Sequence, residues 1–209
     1  MRAAEAYGEL LGLGRPIIET REAAARLDVS TSSASHLLRS MERNGLVRRL
    51  RHGVWALDSR IDSFALAPYL TAPYPAYVSL WSALARHGMI EQIPRQVFVA
   101  SLDRTREIRT DVGVYSIHHL APEVFDGYEG SPDSGYLATP EKALFDTVYV
   151  RAPRGARIYF PELTLPADFD ESQLGQWTTR IARPRLRTIV ARGLQEALRQ
   201  AAREDAPAV

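Results

Sequence analysis

The sequence predicts an α+β protein: an N-terminal winged helix-turn-helix followed by a mixed α/β C-terminal domain. Three observations carry this. The first fifty-odd residues read as helix, short strand, helix, turn, helix and basic hairpin. Pro73-Tyr74-Pro75 then punctuates the chain. Beyond it, runs rich in Val, Ile, Tyr and Phe alternate irregularly with helical patterns. The expected domains are residues 1–60 and 70–209.

Residues 2–12 are helix-prone, and Ile17-Ile18 follows Gly-Leu-Gly-Arg-Pro as a short strand. Thr20 is a candidate N-cap for a helix from Arg21 to Leu27, because its hydroxyl can accept from an unpaired first-turn N–H. Asp28-Val29 makes the turn. Ser30 or Thr31 caps the next helix, in which Ala34, Leu37, Leu38 and Met41 fall on one face at i, i+3, i+4 and i+7. The other face carries Ser32, Ser33, Ser35, His36, Arg39 and Arg43. Short donors near the start and longer cations further along are what a helix in a DNA major groove needs. Asn44-Gly45 stops it. Leu46–Leu50 and Val54–Leu57 then read as strands joined by Arg51-His52-Gly53, a wing carrying Arg48, Arg49 and Arg51. Guanidinium groups there neutralise phosphates and release counterions. The expected DNA-binding set is Thr31, Ser32, Ser33, Ser35, His36, Arg39, Arg43, Arg48, Arg49, Arg51 and His52. Ser33, His36 and Arg39 are the candidates for reading base edges.

In the second part, Tyr77, Leu80, Trp81 and Leu84 are spaced for one helical face that Gly88 ends. Arg95–Ala100, Val112–Leu120 and Arg157–Phe160 read as strands. Thr139-Pro140-Glu141 is a helix start, with a capping hydroxyl, a proline at the first position and an acid at the positive end. Lys142 and Asp146, four apart, are spaced to pair on its surface. Pro184 opens a last helix in which Arg185, Arg192 and Arg199 recur every seven residues, a basic stripe broken by Glu196 that reads as a solvated face, with a second DNA contact as the alternative.

The chain has 209 residues, 45% of them hydrophobic, enough for ordinary cores. It has no cysteine, which excludes disulfides and thiolate-bound zinc. The N-terminus lacks a signal pattern and no apolar run approaches a membrane span, so a cytoplasmic protein is expected. The net charge of +1 conceals a gradient: +3 over residues 1–60, −6 over 61–172 and +4 over 173–209. The two ends are therefore suited to an anionic partner and the middle is not. All but one of the 26 basic residues are arginine; the single lysine is Lys142.

Enzyme chemistry finds little support. A magnesium nuclease would need carboxylates such as Asp111, Asp126 or Asp133 with Glu141 and Lys142. Adjacent residues at a helix start do not supply the acid and lysine that such nucleases place on one strand face. His118 and His119 are neighbours in a strand and the other histidines are scattered, so no metal-ligand set emerges. There is no Gly-rich phosphate loop and no Gly-x-Ser-x-Gly elbow. A non-enzyme without cofactor or metal is expected.

Three motifs in the second part form a recognisable set. They are the Tyr-Val-Ser-Leu-Trp-Ser-Ala-Leu run over 77–84, His87-Gly88 with Glu91-Gln92-Ile93-Pro94, and the Ala-Thr-Pro-Glu-Lys-Ala-Leu-Phe-Asp run over 138–146. Together they resemble the AbiEi family of antitoxins from type IV toxin-antitoxin systems. The stretch from Arg21 to Leu57, with Gly45-Leu46-Val47 and Gly53-Val54-Trp55, is similar to that family's DNA-binding module. The resemblance covers most of the chain. It implies repression of the protein's own operon through promoter repeats. It also implies that the C-terminal domain counteracts a nucleotidyltransferase-like toxin without a stable complex, with Glu141 and Lys142 as its candidate antitoxin residues. The alternatives are a stand-alone winged-helix repressor with a ligand-sensing or dimerisation domain, and a DNA-targeted nuclease. The oligomeric state is left open.

Overall fold

The computed structural model describes residues 3–58, 61–154 and 159–204. The first part runs α1 (Ala3–Leu11), β1 (Ile17–Glu19), α2 (Thr20–Arg26), α3 (Thr31–Arg43), β2 (Arg48–Arg51) and β3 (Val54–Ala56). The strands pair antiparallel in the order β1-β3-β2, with an irregularity between Arg49 and Arg51. The element order matches the expected one. Ser30 caps α3, its hydroxyl accepting the Ser33 N–H at 3.1 Å. Ala34, Leu38 and Met41 are buried beneath the helix and Leu37 partly so. Ser30→Ala should cost about 1 kcal/mol, read as a lower urea midpoint with an unchanged slope.

Thr20 is not a cap. It is the first residue of α2, and the Glu22 carboxylate accepts the Glu19 N–H at 2.8 Å instead. The Thr20 hydroxyl is used across the sheet, donating to the Gly53 carbonyl at 3.3 Å and accepting the Trp55 indole N–H at 2.9 Å. This ties the start of α2 to the hairpin.

The connection after Asp58 is not a spacer. A short 3₁₀ turn (Ser63–Leu66) runs into α4 (Ala67–Thr71), and both lie between the first sheet and a second, six-stranded one. That sheet comprises β4 (Ala76–Val78), β5 (Val97–Ser101), β6 (Arg106–Thr110), β7 (Gly113–His119), β8 (Tyr128–Ser131) and β9 (Gly135–Ala138). Its order is β6-β7-β5-β4-β9-β8; β4 with β9 and β5 with β7 are parallel, the other pairs antiparallel. Helices α5 (Leu80–Arg86), α6 (Pro140–Arg151), α7 (Glu171–Arg180) and α8 (Pro184–Glu204) complete the fold. It is an α+β protein.

Tyr77 belongs to a strand rather than to the helix predicted over it, because β4 is clasped between β5 and β9. Pairing on both sides outweighs the helical spacing of Tyr77, Leu80, Trp81 and Leu84. In the Arg157–Phe160 run, residues 157 and 158 lie outside the described residues, and Tyr159 and Phe160 are not in a strand.

The side chains sort by strand alternation into three cores. In the first sheet, Ile18, Trp55 and Leu57 pack under α1–α3, whereas Ile17, Leu50, Val54 and Ala56 face the other way. They meet Leu66, Leu70, Val78, Val99, Tyr115 and Ile117, so one core joins both parts of the chain. The opposite face of the large sheet, with Tyr77 and Ala100, packs under α5–α8. Gly135 brings β9 against the 3₁₀ turn; at its φ of +80° a Cβ would sit 2.7 Å from the Phe64 carbonyl carbon. Among the described residues no helix is long and apolar enough to cross a membrane.

Candidate nucleic-acid interface

The exposed face of α3 and the β2–β3 hairpin border one open groove of about 830 Å³. Seven of the predicted residues line it: Thr31, Ser32, Ser35 and Arg39 from the helix, and Arg49, Arg51 and His52 from the hairpin. Three of the others, Ser33, His36 and Arg43, are exposed elsewhere on α3. Arg48, also exposed, lines a separate hollow with Glu42 and Asp58.

Several of these side chains are already oriented. The Arg39 guanidinium donates to the Ser35 hydroxyl at 2.9 Å, along the helix by one turn. Arg49 lies over the Trp55 ring, 5.8 Å from its centroid, and its Nη2 sits 3.0 Å from His52 Nδ1. A guanidinium only donates, so in this contact His52 Nδ1 is the acceptor. Arg51 also has a structural engagement. It is half-buried and donates to the Leu70 carbonyl at 3.0 Å, so it fastens the hairpin to α4 while still lining the groove.

The groove has walls that sequence patterns did not point to. Glu19, Thr20 and Arg21 close one side, with Arg21 paired to Glu19 and largely exposed. An arginine in the first turn of the helix preceding α3 was the available signal. Ala72 and Pro73 close another side, and only the folded chain brings them there.

No family model matches this chain, and no curated protein matches it. The groove and its neighbours must therefore be read from their own chemistry. Four arginines, a histidine and four hydroxyl side chains face one carboxylate, that of Glu19, a balance suited to an anionic polymer.

Glu141 and Lys142, by contrast, lie inside the protein. Thr139 caps α6 as expected, its hydroxyl accepting the Lys142 N–H at 3.3 Å. The Lys142–Asp146 pair, expected on the surface, is fully enclosed with both side chains at 0% exposure. Lys142 Nζ donates to Asp146 Oδ1 and to the Val124 carbonyl, each at 2.6 Å, and sits over the Phe145 and Trp177 rings. Asp146 Oδ2 accepts from Tyr77 at 3.0 Å and Ser79 at 2.7 Å. The i,i+4 spacing is the same for a surface pair and a buried one; here α6 is covered all round by the sheet, α5, α7 and α8. Burial pushes the Asp146 carboxyl above the usual carboxylate range, although Lys142, Ser79 and Tyr77 all pull it down. Burial and the adjacent Asp146 raise the Tyr77 phenol well above its ordinary value. Gly127, at φ +71°, completes the enclosure: a Cβ there would meet Trp177 at 2.6 Å and Lys142 at 3.1 Å. Glu141 accepts the Asp170 N–H at 3.0 Å and so fixes the segment leading into α7.

Among the described residues no group of three or more His, Asp or Glu side chains is arranged to hold a metal ion. Asp126 is engaged by the Trp177 indole and Arg180, and Asp133 lies in the β8–β9 turn.

Proposed function

We propose that residues 3–58 form a winged helix-turn-helix and that the protein binds double-stranded DNA through it. One observation carries the reading: α3 and the hairpin, which are separate in sequence, bring seven predicted contact residues to a single basic groove. In this reading α3 enters the major groove, Arg39 meets base edges, and Arg49 and His52 meet the phosphates of a flanking strand. Binding of the full chain to duplexes selected from a random library tests it. Arg49→Ala should weaken selected and unrelated duplexes alike. It should also flatten the salt dependence by up to about one unit per lost phosphate contact. A slope equal to that of the parent protein would remove the hairpin from the interface.

The wider role follows from the resemblance of the Tyr77–Leu84 and Ala138–Asp146 motifs to AbiEi antitoxins. In that role the protein is a cytoplasmic repressor of its own operon, acting at promoter repeats. It opposes a nucleotidyltransferase-like toxin without forming a stable complex and is not itself an enzyme. Glu141 and Lys142 then serve from within, holding α6, β4 and α7 in place, because neither is accessible to a partner. Growth of a host expressing a neighbouring toxin gene, with and without this full chain, tests the antitoxin role. An active toxin left unopposed would favour a plain repressor.

A further inference from the structure

The groove is walled on one side by Ala72 and Pro73, residues that belong to the loop between α4 and β4 and not to the first three-stranded sheet. All four residues of that loop, 72–75, are exposed. They are nonetheless held firmly. The Thr71 hydroxyl donates to the Tyr74 carbonyl at 2.8 Å, and the Tyr74 N–H donates to the Thr71 carbonyl at 2.9 Å. The Ser101 hydroxyl holds the Pro75 carbonyl at 2.8 Å. Just before the loop, the Leu70 carbonyl accepts from Arg51 of the hairpin at 3.0 Å and from Arg106 of β6 at 3.2 Å. The loop is thus clamped between the hairpin and the large sheet.

Ala72 and Pro73, the central residues of this turn, line the groove, and Tyr74 closes the turn beside them. Tyr74 is 49% exposed, a large aromatic presented beside a prolyl ring, and its hydroxyl makes no hydrogen bond among the described residues. A hydrogen-bonded turn closed by an exposed phenol costs little entropy to bring to a partner. Tyrosine hydroxyls are regular donors to the phosphates and sugars of the backbone.

Resting on the DNA-binding reading above, we infer that the Ala72–Tyr74 loop is a second-sheet contribution to the same interface. It lies on the sugar-phosphate backbone beyond the hairpin, with the Tyr74 hydroxyl donating to a phosphate. The footprint therefore extends past what α3 and the hairpin cover. The contact fixes position along the duplex without reading its sequence.

The test compares full-length protein with Tyr74→Phe, Tyr74→Ala and Arg39→Ala on one selected duplex across a salt series, with hydroxyl-radical footprints of each complex. Tyr74→Phe keeps the ring and removes only the donor. Both Tyr74 variants should bind about three- to tenfold more weakly at every salt concentration. Their salt slope should be unchanged, because a neutral donor releases no counterion. Protection should disappear from sugars at one edge of the footprint. Parental affinity and a complete footprint in both variants, with Arg39→Ala impaired, would overturn the loop contact and leave the DNA reading standing. Weakening in Tyr74→Ala alone would overturn the hydroxyl–phosphate bond. Absence of binding by the parent protein to any duplex would overturn both readings together.

Discussion

Asp146→Ala should destabilise the folded protein by about 3–5 kcal/mol, because it leaves the Lys142 ammonium buried without its counter-charge. The remaining acceptor, the Val124 carbonyl, is neutral. Tyr77 and Ser79 would lose their shared acceptor at the same time. Lys142→Ala should cost a similar amount by stranding the carboxylate. The informative comparison is the pair replaced together. Lys142→Met with Asp146→Leu removes both desolvation penalties and should lie close to the parent protein, or up to about 4 kcal/mol above it. Urea unfolding of the three variants measures this, and a double variant as unstable as the sum of the singles would refute it.

The pH dependence of the same site has a definite sign. The folded-state Asp146 carboxyl lies above its ordinary 3.8, so the folded chain holds that proton more tightly than the unfolded chain. Its contribution is complete below the unfolded value and is lost as pH rises through the folded one. Replacing Asp146 should therefore cost more in that acidic window than at neutral pH, read as the difference in urea stability between Asp146→Ala and the parent at each pH.

Arg39→Ala should weaken binding to a selected duplex by about 1–3 kcal/mol, roughly 5- to 150-fold, with a much smaller loss on unrelated DNA. Arg39 stands on the exposed face of α3, and Ser35 one turn earlier holds its guanidinium at the groove. A planar donor fork in that position can engage a guanine edge with two hydrogen bonds, which a phosphate contact would not discriminate. Equal losses on selected and unrelated sequences would move Arg39 from base reading to backbone contact. Circular dichroism should be unchanged, since Arg39 is exposed.

What was legible in the sequence was local. The Ser30 cap, the Ala34–Met41 face and the Asn44-Gly45 stop of α3 each depend on residues within one or two turns, and the structure has all three. The Thr139-Pro140 start of α6 is of the same kind. What was missed depends on distant partners. Tyr77 is extended because β5 and β9 pair with β4, and Lys142 is enclosed because α7 returns over α6. The β8–β9 hairpin could have been found from its Ser-Pro-Asp-Ser-Gly turn, and α7 from the Asp170 start with Leu174 and Trp177 three apart. Within the candidate interface, α3 and the hairpin were legible. The Ala72–Pro73 wall was not, because nothing in a stiff loop announces which groove it will border.

The first sheet is covered on both faces, by helices on one side and by the large sheet on the other. That arrangement divides how freely its surroundings can diverge over evolutionary time. In the proposed DNA-binding role, residues on the outside of α3 answer only to the ligand and can drift toward new targets one at a time. Ile17, Leu50, Val54 and Ala56 answer to Val99, Tyr115 and Ile117, and these can change only in concert. In that role, lineages of this fold would acquire new recognition sequences while inheriting head and body as an indivisible pair.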